Sequence, residues 1–263
     1  MCLLLIAIDA LPEMPLLLLG NRDEFHARAS AAAAAWRENR DVVGGRDLVA
    51  GGSWLALRAD GRFAAVTNLR TGVPATAPRS RGALVRDFVL GDAPPAAYLS
   101  ALRANAGDYG PFNLVVGAAG ETLALGSADR VVRALGAGAH VISNGAIGVH
   151  WPKTERLRRR CLARLERDGG VPDEACLLDL LADETQPPDD ALPDTGVGRA
   201  LERVLAPIFI RGERYGTRAS TLAFRQDGGE VVLRERRFGP AGANAGESRW
   251  AAAGQGFAET ALA

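Results

Sequence analysis

The sequence predicts an α+β layered domain, and three observations carry that prediction. Apolar runs of strand length come in consecutive groups, with helix-patterned segments between the groups and not after every strand, which argues against alternating βαβ units. At 263 residues and 48% hydrophobic content, the chain can bury a sizeable core as one large unit. A glycine-rich strand-to-helix phosphate loop is missing, so Rossmann or P-loop nucleotide binding is not expected.

The elements follow in order. Leu3–Ile8 reads as a strand buried on both faces; a turn at Asp9–Pro15 returns the chain through Leu16–Leu19 as an antiparallel hairpin. The alanine tract 29–35 reads as a short helix or a packed connection, and Gly44-Gly45 and Gly51-Gly52 read as turns. Ser53–Leu57 and Phe63–Asn68 flank Asp60-Gly61, a strong hairpin signal. Ser80 is placed to cap a helix over Ala83–Leu90, and a second helix runs Pro95–Ala104 with proline in its first turn. Four strands follow at Phe112–Gly117, Thr122–Leu125, Val131–Leu135 and His140–Ser143. Lys153–Arg167 is a basic amphipathic helix stopped by Gly169-Gly170, and Pro172–Leu181 is another helix. After a Pro-rich acidic loop at Pro187–Pro193 come the apolar segments Ile208–Ile210, Thr221–Arg225 and Val231–Phe238. Residues 1–240 are expected to form one domain, and 241–263 a poorly ordered Ala/Gly-rich tail.

Charge sets further bounds. With 31 basic and 31 acidic residues, the chain has no global pull toward nucleic acid or a membrane surface. The interleaved arginines of 153–167 read as a solvated helix face. Asp9, Pro12, Glu13 and Pro15 interrupt the apolar N-terminus, so neither a signal peptide nor membrane insertion is expected. Cys2, Cys161 and Cys176 are too few for a disulfide framework or a zinc site, which implies a reducing, cytoplasmic setting.

The second residue carries the sharpest chemistry. Loss of Met1, expected before a small residue, leaves Cys2 with a thiol of pKa ~8.5 and an α-amine of pKa ~7.7–8.0. An amine titrating near neutrality can take the thiol's proton, so nucleophile and base come from one residue. Asn21-Arg22-Asp23-Glu24 ends the neighbouring strand; alternation sends Asn21 and Asp23 to one face, Arg22 and Glu24 to the other. Asp23 can then sit beside the amine and tune it. Asn68 and Asn144 also end apolar strands; each alone reads as a turn residue, but beside a terminal thiol they become oxyanion donors. Arg218 is a surface cation or a partner for the thiolate. His26, His140 and His150 have no metal-ligand spacing, and a single axial haem ligand is the one metal role open to them.

Met1-Cys2-Leu3-Leu4 and Asn21-Arg22-Asp23-Glu24 resemble the NRDE family, the transport and Golgi organisation protein 2 family. Gly51-Gly52-Ser53-Trp54, Thr67-Asn68-Leu69-Arg70, Ser80-Arg81-Gly82, Ser143-Asn144, Trp151-Pro152-Lys153 and Tyr215-Gly216-Thr217-Arg218 resemble the same pattern, which runs to about Phe238. That family is in turn similar to N-terminal nucleophile hydrolases of the choloylglycine hydrolase and penicillin V acylase type. The likeness implies a four-layer αββα sandwich and a cysteine hydrolase of a C–N amide bond that passes through a thioester on Cys2. It implies Cys2 as nucleophile, Asp23 on its amine, Asn68 and Asn144 as oxyanion donors and Arg218 as a late active-site arginine, all converging at the open end of two sheets. Arg22, Trp54 and Arg70, inside the matching motifs, become the substrate-binding candidates. One departure is that Gly20, and not arginine, precedes Asn21. No metal or cofactor is implied for catalysis; the ligand is a small-molecule amide. The alternative implied by the family is a non-catalytic carrier of haem, an acyl lipid or an acyl thioester on the same fold.

Overall fold

The computed structural model describes residues 3–72, 76–170 and 172–262. β1 (Leu3–Leu11) and β2 (Met14–Phe25) form the predicted hairpin, but pairing continues past Asp9, where a bulge between Ile8 and Leu11 absorbs the irregularity. The turn is thereby reduced to Pro12-Glu13.

β3 (Ser30–Ala35) corrects the reading of the alanine tract. It is a strand, paired with β4 (Val42–Asp47), because tertiary contacts outweigh alanine's helix preference. Buried Ala33 donates its N–H to the Glu235 carboxylate at 2.8 Å, a bond a helix would withdraw. Gly44-Gly45 is also no turn but part of β4. A side chain on Gly45 would fall 2.2 Å from the Trp54 ring, so glycine lets the indole lie against the strand.

The middle of the chain follows expectation. β5 (Leu55–Arg58) and β6 (Phe63–Asn68) flank the Asp60-Gly61 turn. Ser80 caps α1 (Arg81–Leu90), its hydroxyl accepting the Gly82 N–H at 3.2 Å, and α2 (Pro95–Ala104) begins on its proline. β7 (Phe112–Ala118), β8 (Glu121–Gly126), β9 (Val132–Ala134) and β10 (Gly138–Ile142) are the four expected strands. α3 (Pro152–Asp168) stops at Gly169, left-handed at φ 60°. α4 (Glu174–Asp179) is shorter than predicted and tightens into a 3-10 turn; α5 (Arg199–Leu205) was not anticipated.

β11 (Tyr215–Arg225) and β12 (Val231–Phe238) start earlier than, or match, the apolar segments that announced them. Ile208–Ile210 is buried without joining either sheet. The C-terminal tail differs from expectation: β13 (Asn244–Ala252) and β14 (Ala258–Thr260) extend a sheet, and Ala252 and Phe257 enter the core. Small residues there suit close packing, which composition alone reads as disorder.

Two seven-stranded antiparallel sheets result, ordered β10-β1-β2-β11-β12-β13-β14 and β3-β4-β5-β6-β7-β8-β9. Leu4, Ile6, Leu16 and Leu18 fill the space between them with Leu55, Leu57, Phe63 and Val115. The opposite face of the first sheet, Leu3, Leu5, Leu17 and Leu19, packs on Leu157 and Leu165 of α3 and Leu177 of α4. Ala64, Val66, Leu114 and Val116 of the second sheet pack on Val85 and Phe88 of α1 and Leu99 of α2. Each buried leucine contributes roughly 1.5–3 kcal/mol, so a strand apolar on both faces is what a central layer requires. The architecture is a four-layer αββα sandwich. Among the described residues, no helix is long and apolar enough to cross a membrane.

Candidate active site

The site is set by where strand ends meet. Leu3, the first described residue of β1, lies opposite Asn21 of β2, and Leu4 lies opposite Ile142 of β10. The start of β1 is thus flanked by the Asn21 end of β2 on one side and by the Ile142 end of β10 on the other. Cys2, the expected nucleophile, lies outside the described residues.

Alternation sorts the run 21–24 as predicted. Asn21, fully buried, faces the helices: its amide donates to the Leu181 and Ile208 carbonyls at 2.9 and 2.8 Å and accepts the Ser220 hydroxyl at 2.7 Å. Asp23 lies on the same face, where the Thr217 hydroxyl donates to it at 2.7 Å and also accepts the Ile210 N–H. Thr217 and Ser220 are three apart and would point to opposite faces of a regular strand. A bulge at Arg218 restores both to the helix side, because β2 residues 22 and 23 pair with Ala219 and Thr217 and skip it.

Arg22 points the other way, into the space between the sheets. Its side chain is 4% exposed; the guanidinium sits 4.4 Å from the Trp54 ring centroid and 4.0 Å from the Asp47 carboxylate. Burial pushes its pKa down, and of its neighbours Glu24 and Asp47 oppose that shift while Arg218 and Arg28 add to it. Asp47 is held below the usual carboxylate range: burial works against this, but hydrogen bonds from Arg28 and the Ala50 and Val49 amides prevail. Arg218 donates to the Arg28 carbonyl and, at 3.4 Å, to that of Phe25. Arg22 Nη1 and Arg218 Nε are buried with no hydrogen-bond acceptor among the described residues.

A cleft of about 490 Å³ opens here, lined among others by Arg22, Glu24, Trp54, Asn68, Arg79 and Arg81. Two glycine-bearing motifs build its wall. The Gly52 backbone, at φ 79°, passes so close to Gly82 that a side chain on it would lie 2.2 Å from the Gly82 oxygen. Ser53 N–H closes the junction by donating to that oxygen at 3.1 Å.

Asn68 and Asn144 are brought together at the same end. Asn144, buried after β10, donates its amide N–H to the Asn68 carbonyl at 2.8 Å, joining the two sheets. The half-buried Asn68 side chain lines the cleft. Asn113, which the sequence reading missed, reinforces the junction by donating to the Ser143 and Gly145 carbonyls at 3.2 and 2.8 Å. A fully buried asparagine within an apolar strand was the available signal.

The remaining candidates separate. Trp54 lines the cleft, stacked on Arg22. Arg70 does not line it; its guanidinium is engaged by Glu202 at 2.6 Å and by Asn144 at 3.4 Å. Asp23 and Arg22 occupy opposite faces of β2. His26 is engaged by the Gly212 carbonyl at 3.1 Å, away from the cleft, whereas His140 and His150 line a separate groove of about 520 Å³ beside β10. Cys161 is buried in the helix layer, which pushes its thiol up to about 12, and Cys176 is partly exposed; both are free. Among the described residues no group of three or more His, Cys, Asp or Glu is placed to hold a metal ion.

The family model for Transport and Golgi organisation 2 matches residues 1–240. The human Transport and Golgi organization protein 2 homolog is 31% identical over 258 residues, covering 90% of this chain and 92% of that protein; the bovine homolog is 31% identical over 257. Among solved structures, a variant of the conjugated bile acid hydrolase from Clostridium perfringens covers 100% of this chain and 97% of its own at TM-score 0.57 and 8% identity. A second variant of that hydrolase gives TM-score 0.53 at 9% identity. At such identity the likeness is one of fold, and the fold is the sandwich of N-terminal nucleophile hydrolases.

Proposed function

The chain belongs to the transport and Golgi organisation 2 family, and from that premise and its cleft we propose that it is a cysteine N-terminal nucleophile hydrolase of a small acyl-amide. One observation carries the reading. The start of β1 is flanked by strand ends bearing Asp23 on one side and Asn144 with Asn68 on the other, beside a cleft lined by Arg22.

In this reading, removal of Met1 frees the α-amine of Cys2. The amine takes the thiol proton, and sulfur attacks the amide carbonyl, forming a C–S bond and an oxyanion. Asn68 and Asn144 stabilise that oxyanion, a role in which one donor typically contributes about 2.7–4 kcal/mol. Collapse breaks the C–N bond, the leaving amine takes its proton from the α-ammonium, and a thioester remains. Water then attacks the thioester, releasing the carboxylic acid and restoring the thiol. Asp23 holds the α-ammonium, Arg22 holds negative charge in the cleft, and Arg218 partners the Cys2 thiolate. The fold it shares with a bile acid hydrolase supports this reading. A cytoplasmic setting belongs to the same proposal.

Intact mass before and after exposure to a panel of acyl-amides tests it. A transient acyl adduct on Cys2, lost in Cys2→Ala while the fold survives, is expected. Turnover by protein that retains Met1 would overturn the free-amine mechanism.

A second reading has its own observation. His140 and His150 line one groove with Leu135, Val141 and Ile147, a mixture of apolar walls and imidazoles suited to haem in a carrier. Haem titration should then give a saturable Soret shift that His140→Ala or His150→Ala alters, with Cys2→Ala silent. No saturable shift removes the haem carrier.

A further inference from the structure

A buried ion pair outside the cleft leads to Asn144, whose amide is bonded to the carbonyl of cleft-lining Asn68. Glu202, on α5, is 2% exposed. One carboxylate oxygen accepts the Thr195 N–H at 2.9 Å and its hydroxyl at 2.6 Å, and the other meets Arg70 Nη1 at 2.6 Å. The Arg70 guanidinium lies 5.2 Å from the Trp151 ring centroid, so a carboxylate and an aromatic ring fix its orientation together. Its Nη2 donates to Asn144 Oδ1 at 3.4 Å, while its backbone N–H donates to the Asn144 carbonyl at 2.8 Å. Asn144 Nδ2 then donates to the Asn68 carbonyl at 2.8 Å.

These contacts give the Asn144 amide one orientation. Turned over, its NH₂ would face the Arg70 cation and its oxygen would face the Asn68 carbonyl, and both contacts would be repulsive. One Nδ2 hydrogen is used by Asn68, and the second has no acceptor among the described residues. We propose that the Glu202–Arg70 pair is a positioning unit: it sets the Asn144 amide, and through it Asn68, so that their N–H groups face the reacting carbonyl. Its catalytic half rests on the hydrolase reading above; its geometric half does not.

A positioning role would offset the cost of burying this ion pair. Removing two charges from water is expensive, and apolar pairs of similar volume often stabilise a fold as well or better. A neutral partner could still hold Thr195, but it would not keep Arg70 turned toward Asn144. The pair also ties α5 and the segment before it to the strand end at Asn68, so their placement affects the site without touching substrate.

Two covalent probes separate positioning from nucleophilicity. p-Nitrophenyl acetate acylates a thiol through a tetrahedral oxyanion, whereas iodoacetamide alkylates it by displacement with no oxyanion. Both are applied to full-length, Met1-processed protein carrying Cys176→Ser, and Cys2 modification is followed by intact mass. In Glu202→Gln and Arg70→Met, acylation should slow by about tenfold or more, and alkylation should stay within about twofold. Arg70→Lys should rescue only part of the loss, since one ammonium cannot serve carboxylate and amide in the same fork. The side-chain ¹H–¹⁵N pair of Asn144 is recorded in parallel. Two well-separated, slowly exchanging resonances are expected in the parent and averaged or fast-exchanging ones in Arg70→Met.

An unchanged acylation-to-alkylation ratio in both variants, or an Asn144 amide indifferent to Arg70→Met, overturns the positioning unit. If the parent alkylates but never acylates, the hydrolase reading fails instead, and the amide resonances alone decide whether Arg70 sets Asn144.

Discussion

On the helix side of β2, Asn21 meets three hydrogen-bond partners; on the other side Arg22, which lines the cleft, keeps a buried N–H group that no described residue accepts. Neighbouring residues of one strand therefore face two environments. Burial is nearly equal on both faces, since Asn21, Arg22 and Asp23 are all 4% exposed or less. What differs is satisfaction. A buried polar group whose bonds close within the fold belongs to the architecture, and one whose donors stay open onto a cleft points to a ligand.

The largest expected effect breaks the saturated face. Asn21→Leu removes three hydrogen bonds and leaves two carbonyls and the Ser220 hydroxyl buried without their partner. At roughly 1–3 kcal/mol for each unsatisfied group, a loss of about 3 kcal/mol or more is expected. Urea unfolding should show the midpoint falling with the slope unchanged. Thr217→Val, which cuts the link from Asp23 to the Ile210 N–H, should cost less, about 1–2 kcal/mol by the same measurement.

The open face should respond differently. Arg22→Met keeps an unbranched stem against Trp54 and removes a charge whose burial is only partly offset. Stability should change by no more than about 1 kcal/mol, in either direction. Acylation of Cys2 should nevertheless fall, if the guanidinium holds negative charge in the cleft. A loss of stability as large as that of Asn21→Leu would show that Arg22 is architecture, and the comparison between the faces would collapse.

How much of this was legible in the sequence follows from the range of the forces involved. The split of 21–24 between two faces was legible, because it depends only on strand alternation. Asn68 and Asn144 were legible as strand ends, and Ser80 as a cap. The bulge at Arg218 was not, since it is defined by pairing with a strand nearly two hundred residues earlier. The alanine tract was misread because helix propensity is local, whereas the Ala33–Glu235 bond crosses 202 residues. Glu202 was invisible for the same reason: its segment has no strong apolar pattern, and its partner is Arg70. Arg70 was read as a substrate-binding candidate; the sequence could not show that it stands outside the cleft, engaged by Glu202 and Asn144.

A smaller effect is expected at Glu235, an acid buried between the sheets whose charge interacts with Arg22. It lies on β12, 1% exposed, accepting the Ala33 N–H at 2.8 Å and standing 3.9 Å from Arg237. Burial raises its pKa above 4.5; the Ala33 hydrogen bond and the charges of Arg237 and Arg22 pull it back without prevailing. Between the unfolded value and the raised folded one, the native protein keeps a proton that the unfolded chain has lost. Stability attributable to this group therefore falls as pH rises through that window and levels off above the folded pKa. Glu235→Gln keeps an oxygen acceptor for Ala33 and has no proton to lose. Urea midpoints for the two proteins, measured from pH 4 to pH 8, should diverge as pH rises, with the variant becoming the more stable. Parallel curves would mean that Arg237 and Arg22 already neutralise the carboxylate, which would give Arg22 a structural partner after all and close part of the open face. If the parent gains on the variant as pH rises, the folded pKa is depressed, and burial is not the dominant influence on Glu235.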